Sequence, residues 1–418
     1  MLFRSKVFNS CLNLQSVIFN GKRQFEKNSM NVFDNCEKLN EIHVIKEYEE
    51  ETFYGKEVNK DIEIGNCGET SPDDVKWFYM EGNLIIYGKG KIKNCNAGSQ
   101  PWNKFSGQIK RTIIFEGVKE LPSYFLYVSF NEIEYISLPK SLTSIPPGNP
   151  FMNCNKLKEL NLNGNKYFIF ENDMLMDINR KTLLMYDVSS NKTSIKLPES
   201  IECIPIGSFY CANKLSEIKL GTNVTHIGSN SIQGCSSLKS FEIPDKVTHL
   251  HGHPFMSCVN LTSFKFGKNI KTITGIFNNC PQLKPENVDM NGNEHFKIKN
   301  NFIMRQNETE INYHFECDEE ENIKIPQNVT SLTNYAFSGS SKVKSIEIPS
   351  SVNYIGYDCF YGCSKLLEIK FYGLNEVKYF VDQKNINTNA AINSKCIIHV
   401  PSNYNGTKFC GKDVIKDL

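Results

Sequence analysis

An apolar skeleton recurs through this chain about every 23 residues, a period that marks stacked units, each burying its apolar side against its neighbours. The fullest copy runs from Lys344 to Phe371. Its apolar residues stand at Ile346, Ile348, Val352, Ile355, Phe360, Cys363, Leu366, Ile369 and Phe371, with Pro349 and Gly356 as punctuation. Other copies align beneath it. Ile243-Pro244, Val247 and Leu250 lead to Phe255, Cys258, Leu261, Phe264 and Phe266; Val224 and Ile227-Gly228 lead to Ile232, Cys235, Leu238, Phe241 and Ile243.

Alternation within one copy assigns the faces. On a strand, Leu366, Ile369 and Phe371 point inward while the residues between them face solvent. Pro349 cannot donate to a ladder and so ends its strand, and Phe360 and Cys363 fall on the return path. The expected fold is mainly β: a leucine-rich-repeat solenoid of about 23-residue repeats, with short helical or 3-10 turns on its convex side and inserted β-hairpin modules.

The copies divide the chain. Residues 1–45 read as degenerate leucine-rich repeats, and 46–64, with Glu47-Tyr48-Glu49-Glu50-Glu51, as a charged linker. Residues 65–116 read as a β-module preceding the repeats, its strands punctuated by Gly82-Asn83 and Gly88-Lys89-Gly90. Repeats occupy 117–164, 195–290 and 323–418, the last closing in a C-terminal cap. Two mutually similar segments, 165–194 and 291–322, interrupt them as β-hairpin islands.

Composition narrows the chemistry. The formal net charge is +1 and no basic patch stands out, so no nucleic-acid partner is expected. No apolar stretch approaches the roughly 20 residues of a membrane span. Met1-Leu2-Phe3-Arg4 opens without an apolar core segment, so no signal peptide is expected; Phe8, Cys11 and Leu14 already fit the repeat. Of 15 cysteines, Cys11, Cys36, Cys154, Cys235, Cys258, Cys280 and Cys363 share one repeat slot, which Ala212 and Ser340 fill in other copies. A slot that takes Cys, Ala or Ser asks for a small buried residue, and these cysteines read as core thiols.

Function is expected on the solvent-facing strand positions of the concave sheet. These are Lys158, Glu159 and Asn161; Glu217 and Lys219; Lys239 and Glu242; Thr262 and Lys265; Lys344 and Glu347; and Glu368 and Lys370. This charge-balanced surface, without an aromatic stripe, suits a protein or glycoprotein ligand held over a wide area. No catalytic residue is assigned: neither a nucleophile signature nor a paired-acid context occurs. His249, His251 and His253 alternate on one side of an extended segment, with His226 in the slot of His249 one repeat earlier. No carboxylate or cysteine completes a zinc spacing there, so no metal and no cofactor are expected. Gly88-Lys89-Gly90 lacks the downstream glycine and helix start of a phosphate loop. Six Asn-x-Thr sequons, from Asn191 to Asn405, are too common in so Asn-rich a chain to place it outside the cell.

The Ile-Pro-x-x-Val-x-x-Ile-Gly and Phe-x-x-Cys-x-x-Leu segments resemble those of the BspA-like, or Treponema-type, leucine-rich-repeat family, over nearly the whole chain. The β-module around Asn66-Cys67-Gly68, Trp77 and Pro101-Trp102, the two islands and the ending Val400-Pro401-Ser402-Asn403-Tyr404 are similar to features of that family. The resemblance implies a non-enzymatic surface antigen or secreted protein that adheres to host proteins or to other cells. The alternative is an intracellular protein-interaction scaffold, favoured by the thiols and by the opening of the chain.

Overall fold

The computed structural model describes residues 8, 10–19, 21–23, 32–127, 129–146, 149–152, 154–316, 320–379 and 390–418. They form two compact units, Met1–Pro146 with Cys154–Tyr167, and Pro147–Asn153 with Phe168–Leu418.

The first unit is built on an eight-stranded sheet that runs in chain order: Ser16–Phe19, Glu41–Ile45, Asn59–Asn66, Val75–Met80, Asn83–Gly88, Arg111–Ile114, Tyr135–Ser137 and Glu159–Asn161. Its flanks are parallel, as stacked repeats require. Its middle is an antiparallel meander through Val75–Met80, closed by a tight turn at Glu81 and Gly82 with φ of 46° and 78°. Glycine takes such a φ freely, whereas Glu81 holds it at some strain. Residues 46–64, expected as a charged linker, instead hold the strands Thr52–Phe53 and Lys56–Glu57 and the start of Asn59–Asn66. Ile62 is fully buried between charged neighbours, whereas Ile64 on the same side of the strand is exposed, so a single apolar anchor holds the strand and no alternation marks it.

The second unit carries two five-stranded parallel sheets. One joins Ser194–Lys196, Glu217–Lys219, Ser240–Glu242, Ser263–Lys265 and Val288–Asp289; the other joins Asn322–Lys324, Ser345–Ile348, Glu368–Phe371, Ile397–Val400 and Ile415–Lys416. Each residue pairs with its equivalent one repeat on, as Ser240 with Ser263, Phe241 with Phe264 and Glu242 with Lys265. Ile195, Ile218, Phe241, Phe264 and Val288 therefore stack into one buried column. The fold is the mainly β solenoid that the repeat predicts. Its return path is a run of hydrogen-bonded turns, and the helices among the described residues are single 3-10 turns at Pro72–Asp74, Asn103–Phe105 and Pro285–Asn287.

Both interruptions of the array are three-stranded antiparallel units: Phe168–Glu171, Met174–Asp177 and Leu183–Tyr186, then Phe296–Lys299, Phe302–Arg305 and Glu310–His314. The end of each seeds a second, shorter parallel ladder. Thr182 bridges Cys203, whose strand Cys203–Ile204 pairs with His226–Ile227. Glu310–His314 likewise pairs with Ser331–Leu332, which passes the ladder to Tyr354–Ile355 and Lys378–Tyr379.

The cysteine slot has a structural reason. The thiols of Cys235, Cys258, Cys280 and Cys363 donate to the carbonyls of Phe209, Ile232, Phe255 and Phe337, one coil earlier, at 3.3, 3.2, 3.1 and 3.1 Å. Each is small enough for the core and carries one weak donor for the second lone pair of a carbonyl that already accepts an amide within its own turn. Ser340 in this slot instead meets His314 Nδ1 at 2.8 Å. Burial pushes the thiols of Cys258 and Cys363 up to about 12. The native state therefore keeps protons that the unfolded chain releases above about pH 8.5. The stability they contribute is complete below that pH and is lost as the pH climbs toward about 12. The urea midpoint is expected to fall between pH 8 and pH 10.5, and to fall less steeply in a Cys258→Ala, Cys363→Ala double variant. Parallel slopes for the two proteins would contradict this.

Candidate partner-binding faces

In the first unit, Arg111, Tyr135 and Glu159 form one row across neighbouring strands, with the Arg111 guanidinium 4.1 Å from the centre of the Tyr135 ring. Lys158 is exposed and pairs with Glu134 at 2.8 Å, and its ammonium holds the Glu134 carboxyl below the usual range. Asn161 spends its Oδ1 on the amide of Asn163 at 2.8 Å, so it shapes the turn beyond its strand. Glu159 is exposed. Sequence reasoning selected Lys158, Glu159 and Asn161 and missed Arg111 and Tyr135, because the copy that holds Arg111 lies inside the β-module.

In the second unit the open face of the first five-stranded sheet forms a trough of about 540 Å³. Glu217, Lys219, Glu242 and Lys265 line it, together with Lys196, Ser240 and Thr222. The register explains the grouping. Ser194, Glu217, Ser240 and Ser263 make one row, and Glu242, Lys265 and Asp289 lie along another. Lys265 meets Glu242 at 2.7 Å and Lys219 meets Glu217 at 2.9 Å. Lys239 is exposed beside this face, and its carbonyl accepts from the Thr262 hydroxyl at 3.1 Å, so that hydroxyl is committed to the backbone.

On the second five-stranded sheet, Lys324, Glu347 and Lys370 form a row of alternating sign. Glu347 pairs with Lys324 at 3.1 Å, Lys344 with Glu321 at 2.7 Å and Lys370 with Glu368 at 3.3 Å. His399 extends this row, its Nδ1 2.8 Å from Asp417 and its Nε2 3.6 Å from Glu368. The amide of Ile397 donates to the carbonyl of Leu367, and both side chains are half exposed beside these charges. His399 and Ile397 escaped the sequence reading because the last coil lacks the Phe-x-x-Cys segment that fixes register.

Exposed pairs of this kind contribute little to stability. Their effect lies in what they display: rows of charge at the 4.7–4.9 Å strand spacing. The rings of His249 and His251 are 5.9 Å apart, with His249 Nδ1 2.6 Å from the Thr248 hydroxyl and His251 Nε2 3.1 Å from the Thr272 hydroxyl. His253 packs edge-on against Tyr335, with ring centres 4.2 Å apart.

Parallel ladders of equivalent residues one repeat apart, closed by a return path packed with Phe and Cys, define a leucine-rich-repeat solenoid. The family model described as BspA type leucine rich repeat region matches six copies, over residues 2–72, 103–183, 185–308 and 308–396. The chain belongs to that family.

Among solved structures it is similar to a leucine-rich repeat protein from Eubacterium ventriosum, at 16% identity over 81% of this chain and 78% of that one, with a TM-score of 0.39. It is also similar to a leucine rich cell surface protein from Faecalibacterium prausnitzii, at 17% identity over 77% and 97% of the two chains, with a TM-score of 0.33. The pneumococcal vaccine antigen PcpA matches at 14% identity over 71% of this chain and 64% of its own, with a TM-score of 0.31. No curated protein matches the chain. Among the described residues no helix is long and apolar enough to cross a membrane.

Proposed function

We propose that this protein is a non-enzymatic binder of the surface-antigen type, which holds a protein or glycoprotein ligand against the open faces of its parallel sheets. The observation that carries the reading is the trough over Glu217, Lys219, Glu242 and Lys265. Four charges that add little to stability are paired there on the open face of the sheet. Membership of the BspA-type family, whose repeats are linked to surface adhesion, supports the same reading. A second reading, an intracellular protein-interaction scaffold, draws on the core cysteines, which lie buried as thiols at Cys235, Cys258, Cys280 and Cys363.

A charge swap tests the face. Glu217→Lys with Lys219→Glu, and Glu242→Lys with Lys265→Glu, keep each ion pair but invert the pattern it displays. The melting temperature is expected to hold, and binding to immobilised extracellular-matrix proteins to fall at least tenfold. Equal binding by the wild type and the swapped protein would remove the trough from the interface. Antibody staining of intact against permeabilised cells separates the readings: staining of intact cells supports the surface antigen, and signal only after permeabilisation supports the scaffold.

A further inference from the structure

Three strands of the first unit bring together side chains that no repeat position explains. His43 lies on Glu41–Ile45 and is buried. The neighbouring strand pairs Asn59 with His43 and Ile62 with Ile45, so two residues, Lys60 and Asp61, oppose the single residue Val44. This is a β-bulge, a device that re-aims a side chain. Here it presents Asp61 to the imidazole, with Oδ2 2.8 Å from His43 Nδ1. The next strand pairs Tyr79 with Glu63 in antiparallel register, and carrying that register two residues further sets Glu81, in the strained turn, across from Asp61. One ligand atom each from His43, Asp61 and Glu81 lies within 4.8 Å of the others.

Two details set this group apart from an ordinary ion pair. Asp61 Oδ1 is buried and has no hydrogen-bond partner, a costly arrangement for a carboxylate oxygen. The other nitrogen of His43 faces a second carboxylate, with Glu41 Oε2 3.4 Å from Nε2. A partner of that kind orients the imidazole of a ligand histidine and raises its basicity.

We propose that His43, Asp61 and Glu81 form a binding site for a divalent transition metal, zinc or manganese, that ties together two neighbouring strands and the turn after a third in the first unit. One imidazole and two carboxylates are a donor set that such ions accept, with solvent completing the shell. Donors bonded at 2.0–2.2 Å lie at most about 4.4 Å apart, so the group needs only a slight closure, which the exposed Glu81 can supply. The metal would give Asp61 Oδ1 its missing partner and offset the strain at Glu81.

The test uses the full chain, stripped with chelator and titrated by calorimetry with zinc alone and with manganese alone. One equivalent of at least one of these ions is expected to bind, and to raise the melting temperature until chelator is added back. His43→Ala and Asp61→Asn should each weaken binding at least tenfold. Glu81→Gln, at an exposed turn where folding is not at stake, should do the same. A His249→Ala, His251→Ala variant controls for loose binding to the other histidines and should bind as the wild type does. Absence of a stoichiometric site for either ion would overturn the proposal. So would wild-type affinity in Glu81→Gln and Asp61→Asn, or loss of the site in the His249→Ala, His251→Ala variant.

Discussion

Phe264→Ala is expected to cost the unit that holds it about 3–5 kcal/mol of stability, the range for truncating a fully buried aromatic ring. Phe264 is buried at the centre of a ring cluster, 4.7 Å from Phe277, 4.8 Å from Phe266, 5.0 Å from Phe255 and 6.2 Å from Phe241, centre to centre. Those neighbours come from three successive coils whose spacing is fixed by backbone ladders, so they cannot collapse into the void. The loss should therefore lie toward the upper end of the range. Phe264→Leu, which keeps most of the volume, should recover much of it. Urea unfolding followed by circular dichroism is the measurement, and an unchanged midpoint in Phe264→Ala would show that the column does not carry load.

Gly356→Ala should also be damaging, for a different reason. Its backbone does not lie in the left-handed region, so an alanine could adopt its conformation. The added Cβ, however, would stand 2.3 Å from the amide nitrogen of Asn334 and 2.5 Å from the carbonyl carbon of Thr333, atoms of the preceding coil. Backbone cannot rotate out of the way, and forcing the coils apart should cost about 1–3 kcal/mol or more. Gly228 meets Ile206 and Pro205 in the same manner, so this glycine is a device for close approach between coils. Gly356 N donates to Leu332 O at 2.8 Å and Tyr357 N to Asn334 Oδ1 at 2.9 Å. Hydrogen exchange at these two amides is expected to quicken in Gly356→Ala, and full protection would refute the argument.

The parts of the fold that were legible in the sequence are those that repeat. Phe264, Cys258 and Gly356 could be placed because each sits in a slot occupied again one period away, and Glu217, Lys219, Glu242 and Lys265 followed from strand alternation, whereas Lys196 of the trough was not selected. Residues 46–64 were not legible. Ile62 is one buried position among Lys60, Asp61 and Glu63, and a single apolar anchor leaves no periodic signal. The ladders seeded by the two islands were hidden as well, since pairing such as Glu310 with Ser331 is decided in space. His43, Asp61 and Glu81 lay further still from view. A bulge and a hairpin register assemble them, and neither leaves a spacing that could be read along the chain.

The thiol-to-carbonyl contacts, repeated from coil to coil, bear on how such a chain answers force. Each coil is fastened to the coils on either side of it by short ladders and by single contacts such as Cys258 to Ile232. Tension applied at the free end meets these fastenings one after another. Each coil that lets go pays out about 23 residues, or about 75 Å of extended chain, while the next still holds. A load is thus dissipated as a staircase of small yields, and a protein anchored at one end lengthens under pull long before its last coil is lost.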